Sequence, residues 1–321
     1  MKMKTLLIFA TLALPCLGQL TDKAAQKKVA LKDLKHPVHP CLWEITGQDL
    51  KKPSYLFGTC HLSDPRVTTL HPDAQKVFDQ ADAVYGELKM SPKDTAKIAQ
   101  LMLRTDGKTV TEEIGPKRAA RVNKLLKEIN PALSLQAGLD GLHTWAVGIT
   151  LSTLEEQMKG EKVLDQQLLD KAEKAGKFTA GLETVERQLA CFEKMTPAQS
   201  LLLIDSTLDS LEQVGGENPI EMIKKVYLTE TPEKIGEVVK EFLSHSPDGE
   251  KLSAEELKFS DWFVLEFLDK RNGEMAEKID GILEEQSGHS HFFAVGAAHY
   301  TGDTAIQDLL KKKGYTITPK F

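Results

Sequence analysis

The chain carries one short design near each end: an apolar run that stops on Gly-x-x-His. The first copy is Tyr55-Leu56-Phe57-Gly58-Thr59-Cys60-His61; the second is His291-Phe292-Phe293-Ala294-Val295-Gly296-Ala297-Ala298-His299. About five apolar residues before a glycine read as a buried strand, and the glycine permits a tight turn or a close backbone approach. Each histidine therefore stands at a strand's carboxyl end. The segment beyond each histidine is duplicated as well. After His61 come Ser63-Asp64-Pro65, a helical stretch around 73–80 and the strand Ala83-Val84-Tyr85-Gly86-Glu87-Leu88. After His299 come Thr301-Gly302-Asp303, a helical stretch around 304–312 and the strand Gly314-Tyr315-Thr316-Ile317-Thr318. Two such units side by side bring both histidines to the edge where α/β folds place their ligands. The expected fold class is α/β: a central mixed β-sheet from two related β-(GxxH)-α-β units with a large helical insert, and one site shared by the two histidines.

The insert covers about 91–280. Ser91-Pro92-Lys93-Asp94 opens a helix with proline at its first position, and breaks fall at Gly115-Pro116, Asn130-Pro131, Gly160, Gly215-Gly216, Pro232 and 245–249. Residues 178–182 read as a short strand or extended link, Glu183-Thr184-Val185-Glu186 opens another helix, and 261–279 is the last long one. Ahead of the first unit, Cys41-Leu42-Trp43-Glu44-Ile45-Thr46-Gly47 alternates and ends on a glycine turn, which predicts a hairpin into the Tyr55 strand.

Met1-Lys2-Met3-Lys4 and the apolar residues 5–14 have the form of a secretory signal peptide, with cleavage expected after Gly18. The apolar core is too short to span a bilayer, and no other stretch is long enough. Cys16 follows Leu14-Pro15, a poor lipidation signal, so lipoprotein anchoring is not expected. The expectation is an exported protein, periplasmic or extracellular, with a polar tether over 19–40 and a single domain over 41–321. Loss of residues 1–18 moves the formal charge from −6 to −8 with both signs interspersed, which argues against nucleic acid and against attraction to an anionic membrane. Cys41, Cys60 and Cys191 remain, an odd number without metal-knuckle spacing; if one disulfide forms, Cys41–Cys191 is the expected pair. A hydrophobic content of 41% is ample for a core.

Two neutral imidazoles and a carboxylate on a rigid scaffold suit a divalent metal with positions left open for water and substrate. Glu87 is the natural third ligand, expected in a strand paired with the one carrying His61. A metal held in this way activates water and polarises a carbonyl, which is hydrolytic chemistry. There is no His-Glu-x-x-His helix.

These residues carry a resemblance to the TraB/GumN family, which includes the Tiki metalloproteases. Tyr55-Leu56-Phe57-Gly58-Thr59-Cys60-His61 through Val67, Gly181-Leu182-Glu183-Thr184-Val185-Glu186-Arg187-Gln188, and the 269–275 stretch with Arg271-Asn272 resemble three family motifs spread over nearly the whole mature chain. The resemblance implies that His61, His299 and Glu87 are catalytic and metal-binding, with Mn²⁺ or Co²⁺ as cofactor, Zn²⁺ a further candidate and a peptide or protein as substrate. It also marks Asp64, Arg66, Glu183, Gln188, Arg271 and Asn272 as residues near the site without an assigned role. Cys60 departs from the pattern, which has an apolar residue there.

Each feature has a plainer reading. A histidine at a strand end is often structural, a glutamate there is often only solvated, and Arg271-Asn272 can simply pair with a helix end. Cys60-His61 has the makings of a thiolate–imidazole pair, but adjacent strand residues face opposite ways, so Cys60 is expected to pack inward. His289 and His291 are expected to be exposed; His143, Trp145 and Trp262 to be helix packing. The functional expectation is a metal-dependent peptidase. The alternatives are a non-catalytic protein that sequesters a peptide or signal in the same cleft, and a metal-dependent ester or lactone hydrolase.

Overall fold

A computed structural model of the chain describes residues 31–212, 219–242 and 252–320. The expected signal segment, the 19–30 part of the tether and the breaks at 215–216 and 245–249 lie outside the described residues. Both ends of the chain contribute to one six-stranded sheet: β1 (Leu42–Gly47), β2 (Ser54–Thr59), β3 (Ala83–Gly86), β4 (Phe178–Gly181), β5 (His291–Gly296) and β6 (Tyr315–Pro319), in the order β4-β3-β5-β2-β1-β6. β2, β5, β3 and β4 are parallel to one another, whereas β1 runs antiparallel to both β2 and β6. The sheet is therefore mixed, and the expected β1–β2 hairpin is present. Gly47 and Gln48 turn its chain with φ of 87° and 46°.

The two units leave the sheet in opposite directions. From β2 the chain passes through α1 (Pro65–Thr68) and α2 (Pro72–Gln80) and crosses over β5 to reach β3. From β5 it passes through α13 (Ile306–Lys312) and crosses over β2 and β1 to reach β6. The crossings use opposite faces, as period-two alternation dictates. Tyr55, Phe57, Val84, Phe292 and Ala294 pack against Ala74 and Phe78 of α2, while Leu56, Tyr85, Phe293 and Val295 pack against Ile306 and Leu310 of α13. β2 and β5 are thus neighbouring parallel strands whose continuations diverge, which opens a crevice at their carboxyl ends.

One strand pairing differs from expectation. β3 bonds to β5 and β4, not to β2, because the second unit's first strand is inserted between the two strands of the first. The insert also supplies a strand, β4, which closes that edge of the sheet.

Elsewhere the insert is helical: α3 (Pro92–Met102), α4 (Val110–Ile129), α5 (Thr144–Lys159), α6 (Leu164–Lys174), α7 (Val185–Glu193), α8 (Pro197–Leu211), α9 (Pro219–Thr229), α10 (Pro232–Phe242), α11 (Ala254–Val264) and α12 (Lys270–Glu285). Ser91 and Asp94 cap α3 reciprocally as the sequence predicts, and Gly160 ends α5 with φ of 72°. The expected interruption at Gly115-Pro116 is present as a kink between two helical pieces of α4, where Gly115 is non-helical with φ of 77° and frees the following proline from the helical ladder. The last long helix is longer than expected and is interrupted by one wide turn, Leu265–Asp269, whose closing Lys270 N–H reaches back five residues to Leu265 O. Such turns re-aim the residues after them, here Arg271 and Asn272.

Cys41, Cys60 and Cys191 are all free and buried. The Cys41–Cys191 pair does not form because Cys41 packs under the sheet with Trp43 and Ile45, whereas Cys191 lies in a separate helical core with Trp145 and Phe192. His289 is exposed as expected, but His291 is fully buried. As the first residue of β5 it turns in among Tyr85 and Phe293, each ring centroid 5.8 Å away. His143 precedes α5 and stacks on Trp145, which packs on Phe192.

Candidate functional site

The ladder between β3 and β4 runs one step beyond the strands, with Glu183 N–H bonded to Glu87 O at 2.9 Å. This places Glu87 and Glu183 side by side at the sheet's carboxyl edge, the same edge on which β2 and β5 deliver His61 and His299. Glu87 is 5% exposed. Its Oε1 lies 4.0 Å from His61 Nε2 and 3.7 Å from His299 Nε2, and accepts the Gly296 N–H at 2.7 Å. Its Oε2 accepts from Arg271 Nη2 at 2.7 Å and from Gln188 Nε2 at 3.3 Å. The Gly-x-x-His glycine of the second unit therefore serves the site through its backbone.

Each imidazole has an oxygen close behind its Nδ1, by ion-pair contact for His61 and by hydrogen bond for His299. Asp165 Oδ2, in the first turn of α6, lies 2.7 Å from His61 Nδ1, and Thr59 donates its hydroxyl to Asp165 Oδ1. Asn272 Oδ1 lies 2.5 Å from His299 Nδ1. With Nδ1 occupied by an oxygen acceptor, both rings present Nε2 towards Glu87. His61 Nε2 is buried and has no hydrogen-bond partner.

Arg271 is 3% exposed and ties the carboxylates together. It donates to Glu183 at 2.9 and 2.8 Å, to Glu87 at 2.7 Å and to Phe267 O at 3.0 Å. These contacts set the charges. Burial opposes ionisation of Glu87, but His299, Arg271, His61 and the Gly296 N–H hold it down to about 2. Burial and the nearby Arg271 and His61 push His299 down to about 3. For His61 burial is outweighed by Asp165 and Glu87, which raise it to about 9. The standing positive charges beside Glu87 at neutral pH are therefore Arg271 and His61. Burial pushes Glu183 up, against the pull of Arg271.

Of the residues marked by the sequence, His61, His299, Glu87, Glu183, Gln188, Arg271 and Asn272 meet in this cluster. Asp64 and Arg66 pair instead with each other at the start of α1, at 2.6 Å, and hold Lys224 and Leu31 O. Cys60 packs inward as expected; burial and the neighbouring Asp165 and Glu156 push its thiol far up, which argues against a thiolate nucleophile. Sequence reasoning misses Asp165. Its signal is present: an acid on the buried stripe of α6 formed with Leu164, Leu168 and Ala172.

Among the described residues, no group of three or more His, Cys, Asp or Glu side chains is drawn together as a ready metal cage. The donor chemistry nevertheless fits a divalent ion: a buried imidazole nitrogen without a partner, a second imidazole nitrogen facing the same point, and an ionised carboxylate between them. Donors about 2.1 Å from one ion stand about 3.4 Å apart in a tetrahedron and at most about 4.2 Å apart. The 3.7 and 4.0 Å separations of the two imidazoles from the carboxylate fall between these limits.

No helix among the described residues is long and apolar enough to cross a membrane. No solved structure is significantly similar to the chain. Similar curated proteins include the metalloprotease TIKI2 of Danio rerio, 24% identical over 92% of this chain and 63% of the relative, and the metalloprotease TIKI1 of Homo sapiens, 25% identical over 89% and 63%. The chain thus spans about six-tenths of the length of these relatives. The TraB/PrgY/gumN family model matches residues 41–319, which takes in every strand of the sheet and every member of the cluster, and the chain belongs to that family.

Proposed function

We propose that this chain is an exported metal-dependent hydrolase of peptide or protein substrates, with a divalent ion held by His61, His299 and Glu87. The observation that carries the reading is the pair of imidazoles each backed at Nδ1 by an oxygen, with Nε2 of both facing one buried carboxylate. Histidine ligands characteristically donate their other ring nitrogen to such a partner. The relatives named as metalloproteases support the same class. An ion bound there supplies an activated water and polarises the carbonyl under attack. The chain's own residues set the stage for it. Arg271 and the Gly296 N–H keep Glu87 ionised and fixed, Gln188 holds its second oxygen, and Glu183 locks the guanidinium in place. Mn²⁺ and Co²⁺ are the ions we favour. Export rests on the charged start and short apolar core of residues 1–18.

The test is elemental mass spectrometry on protein purified without chelators and reloaded with Mn²⁺, Co²⁺ or Zn²⁺, beside His61→Ala and His299→Ala, followed by a peptide-library digest with Glu87→Gln as control. Near one ion per chain, lost in both folded variants, with cleavage that needs Glu87, is expected. Folded protein that takes up no metal under any loading sinks the proposal. A peptide held intact in the presence of chelator replaces cleavage with sequestration.

A further inference from the structure

The two imidazoles face one carboxylate but are held by unlike partners. His61 leans on a carboxylate, Asp165, whose other oxygen is taken by the Thr59 hydroxyl at the end of β2. The start of α6 is itself tied to the His61 loop, because Leu164 N–H bonds to Leu62 O at 3.2 Å. His299 leans on a fully buried amide, Asn272, whose orientation a chain of donors settles. Thr304 gives its hydroxyl proton to Asp269, so it can only accept from Asn272, 3.5 Å away; the amide NH₂ therefore faces Thr304 and the amide oxygen faces His299. His299 must then carry its proton on Nδ1, leaving the Nε2 lone pair towards Glu87. Thr59 engages Asp165 Oδ1, and Oδ2, which has no hydrogen-bond partner of its own, lies 2.7 Å from His61 Nδ1 as an ion-pair contact. None of these four groups reaches Glu87.

We infer that Asp165 and Asn272 are the positioning residues of the site, each orienting one histidine from its Nδ1 side so that both Nε2 atoms converge beside Glu87. The inference rests on the metal reading proposed above, and the two fail separately. Asp165 acts on one imidazole only and Asn272 on the other, since they come from different elements, α6 and α12, and contact different rings.

The test uses the near-isosteric Asp165→Leu and Asn272→Leu. Leucine at 165 joins Leu164 and Leu168 on a buried helical stripe, so the fold is expected to survive; Asp165→Asn keeps an acceptor oxygen and serves as the conservative variant. The first readout is the slowly exchanging imidazole Nδ1–H resonance of each histidine in metal-free, ¹⁵N-labelled protein. The second is Mn²⁺ affinity by competition with a chromophoric chelator. Asp165→Leu should abolish only the His61 resonance, Asn272→Leu only the His299 resonance, and each should weaken Mn²⁺ binding by about 10- to 100-fold. Asp165→Asn should retain the His61 resonance. Either resonance surviving loss of its partner, or Mn²⁺ affinity unchanged in the leucine variants, overturns the inference. If wild-type protein shows both resonances, each lost selectively, yet binds no Mn²⁺, the metal reading falls while the positioning bonds stand.

Discussion

Arg271→Met should destabilise the protein by more than any other single change at the site. The guanidinium makes five hydrogen bonds from a 3% exposed position, and its two carboxylate partners have side chains 5% and 2% exposed. Methionine keeps the packing of the stem but removes the cation bonded to both Glu87 and Glu183, leaving Glu87 with His61 alone, 4.0 Å from Oε1. Breaking a buried pair by removing one partner costs about 3–5 kcal/mol. At about 2 °C per kcal/mol for a chain of this size, the melting temperature should fall by about 6–10 °C. The sign with pH is fixed. In the wild type, Glu87 is depressed to about 2 from an ordinary 4.5, so its stabilising contribution is present above 4.5 and is lost as pH falls through about 2. Without Arg271, burial of Glu183 loses its main opposition and its carboxyl rises further, so its ionisation destabilises the fold as pH rises above 4.5. The deficit of Arg271→Met should therefore be largest near pH 7.5 and shrink near pH 4.5. Thermal melts of metal-free protein followed by circular dichroism measure this, and adding Glu183→Gln to Arg271→Met should recover part of the loss. A melting temperature within about 2 °C of wild type at pH 7.5 would refute the account of Arg271 as the counter-charge of both carboxylates.

The same geometry predicts three further outcomes. A Cβ at Gly181 would stand 2.9 Å from Lys89 N and 3.0 Å from Glu183 O, so Gly181→Ala must shift the backbone that sets Glu87 beside Glu183; about 1–3 kcal/mol of stability by chemical denaturation, together with weaker metal binding, is expected. His61 is raised from 6.5 to about 9, and a metal must displace its Nε2 proton, so apparent affinity should rise about tenfold per pH unit between 6.5 and 9 and level above that; titration calorimetry in buffers of different ionisation enthalpy should count the released proton, and a pH-independent affinity would exclude His61 as a ligand. Cys41 and Cys60 are buried and burial raises both thiols, so an exchangeable disulfide reagent should label neither in the native protein, and Cys60→Ala should keep metal binding intact.

The strands, the duplicated design and most of the cluster are legible in the sequence because they are local. Five apolar residues before Gly58 or Gly296 specify a buried strand wherever it lands, and the histidine three residues on is fixed to that strand's end. The features that the sequence does not yield depend on contacts between distant segments. Nothing in 83–88 says that β5 will lie between β3 and β2, because strand order depends on which faces the two crossovers cover. The burial of His291 comes from Tyr85 and Phe293 flanking it, not from the Ser-Gly turn before it. Asp165 escapes because an acid near a helix start has an ordinary explanation in the helix dipole, and only the approach of α6 to the His61 loop gives it a second partner. Asp64 and Arg66 are marked by pattern alone. Their short-range pairing satisfies the charges without the site.

The site's accuracy depends on register more than on any single bond within it. β2 and β5 pair with Tyr55 opposite Phe292 and Thr59 opposite Gly296, so the two Gly-x-x-His motifs are one residue out of step, and the helical turn Ala297–Tyr300 takes up the extra residue before His299. A slip of one residue would move one imidazole by about 3.3 Å along its strand, nearly the whole 3.7 Å that separates His299 from Glu87. It would also turn Phe292 and Ala294 out of one core and Phe293 and Val295 out of the other, because both faces of β5 are covered. A strand with one solvated face could lodge a slipped register at the loss of a single core. Here both faces must fail together. Two crossovers leaving in opposite directions, each covering one face, therefore do more than open a crevice between β2 and β5: they penalise every misregistered pairing that would pull the histidines apart.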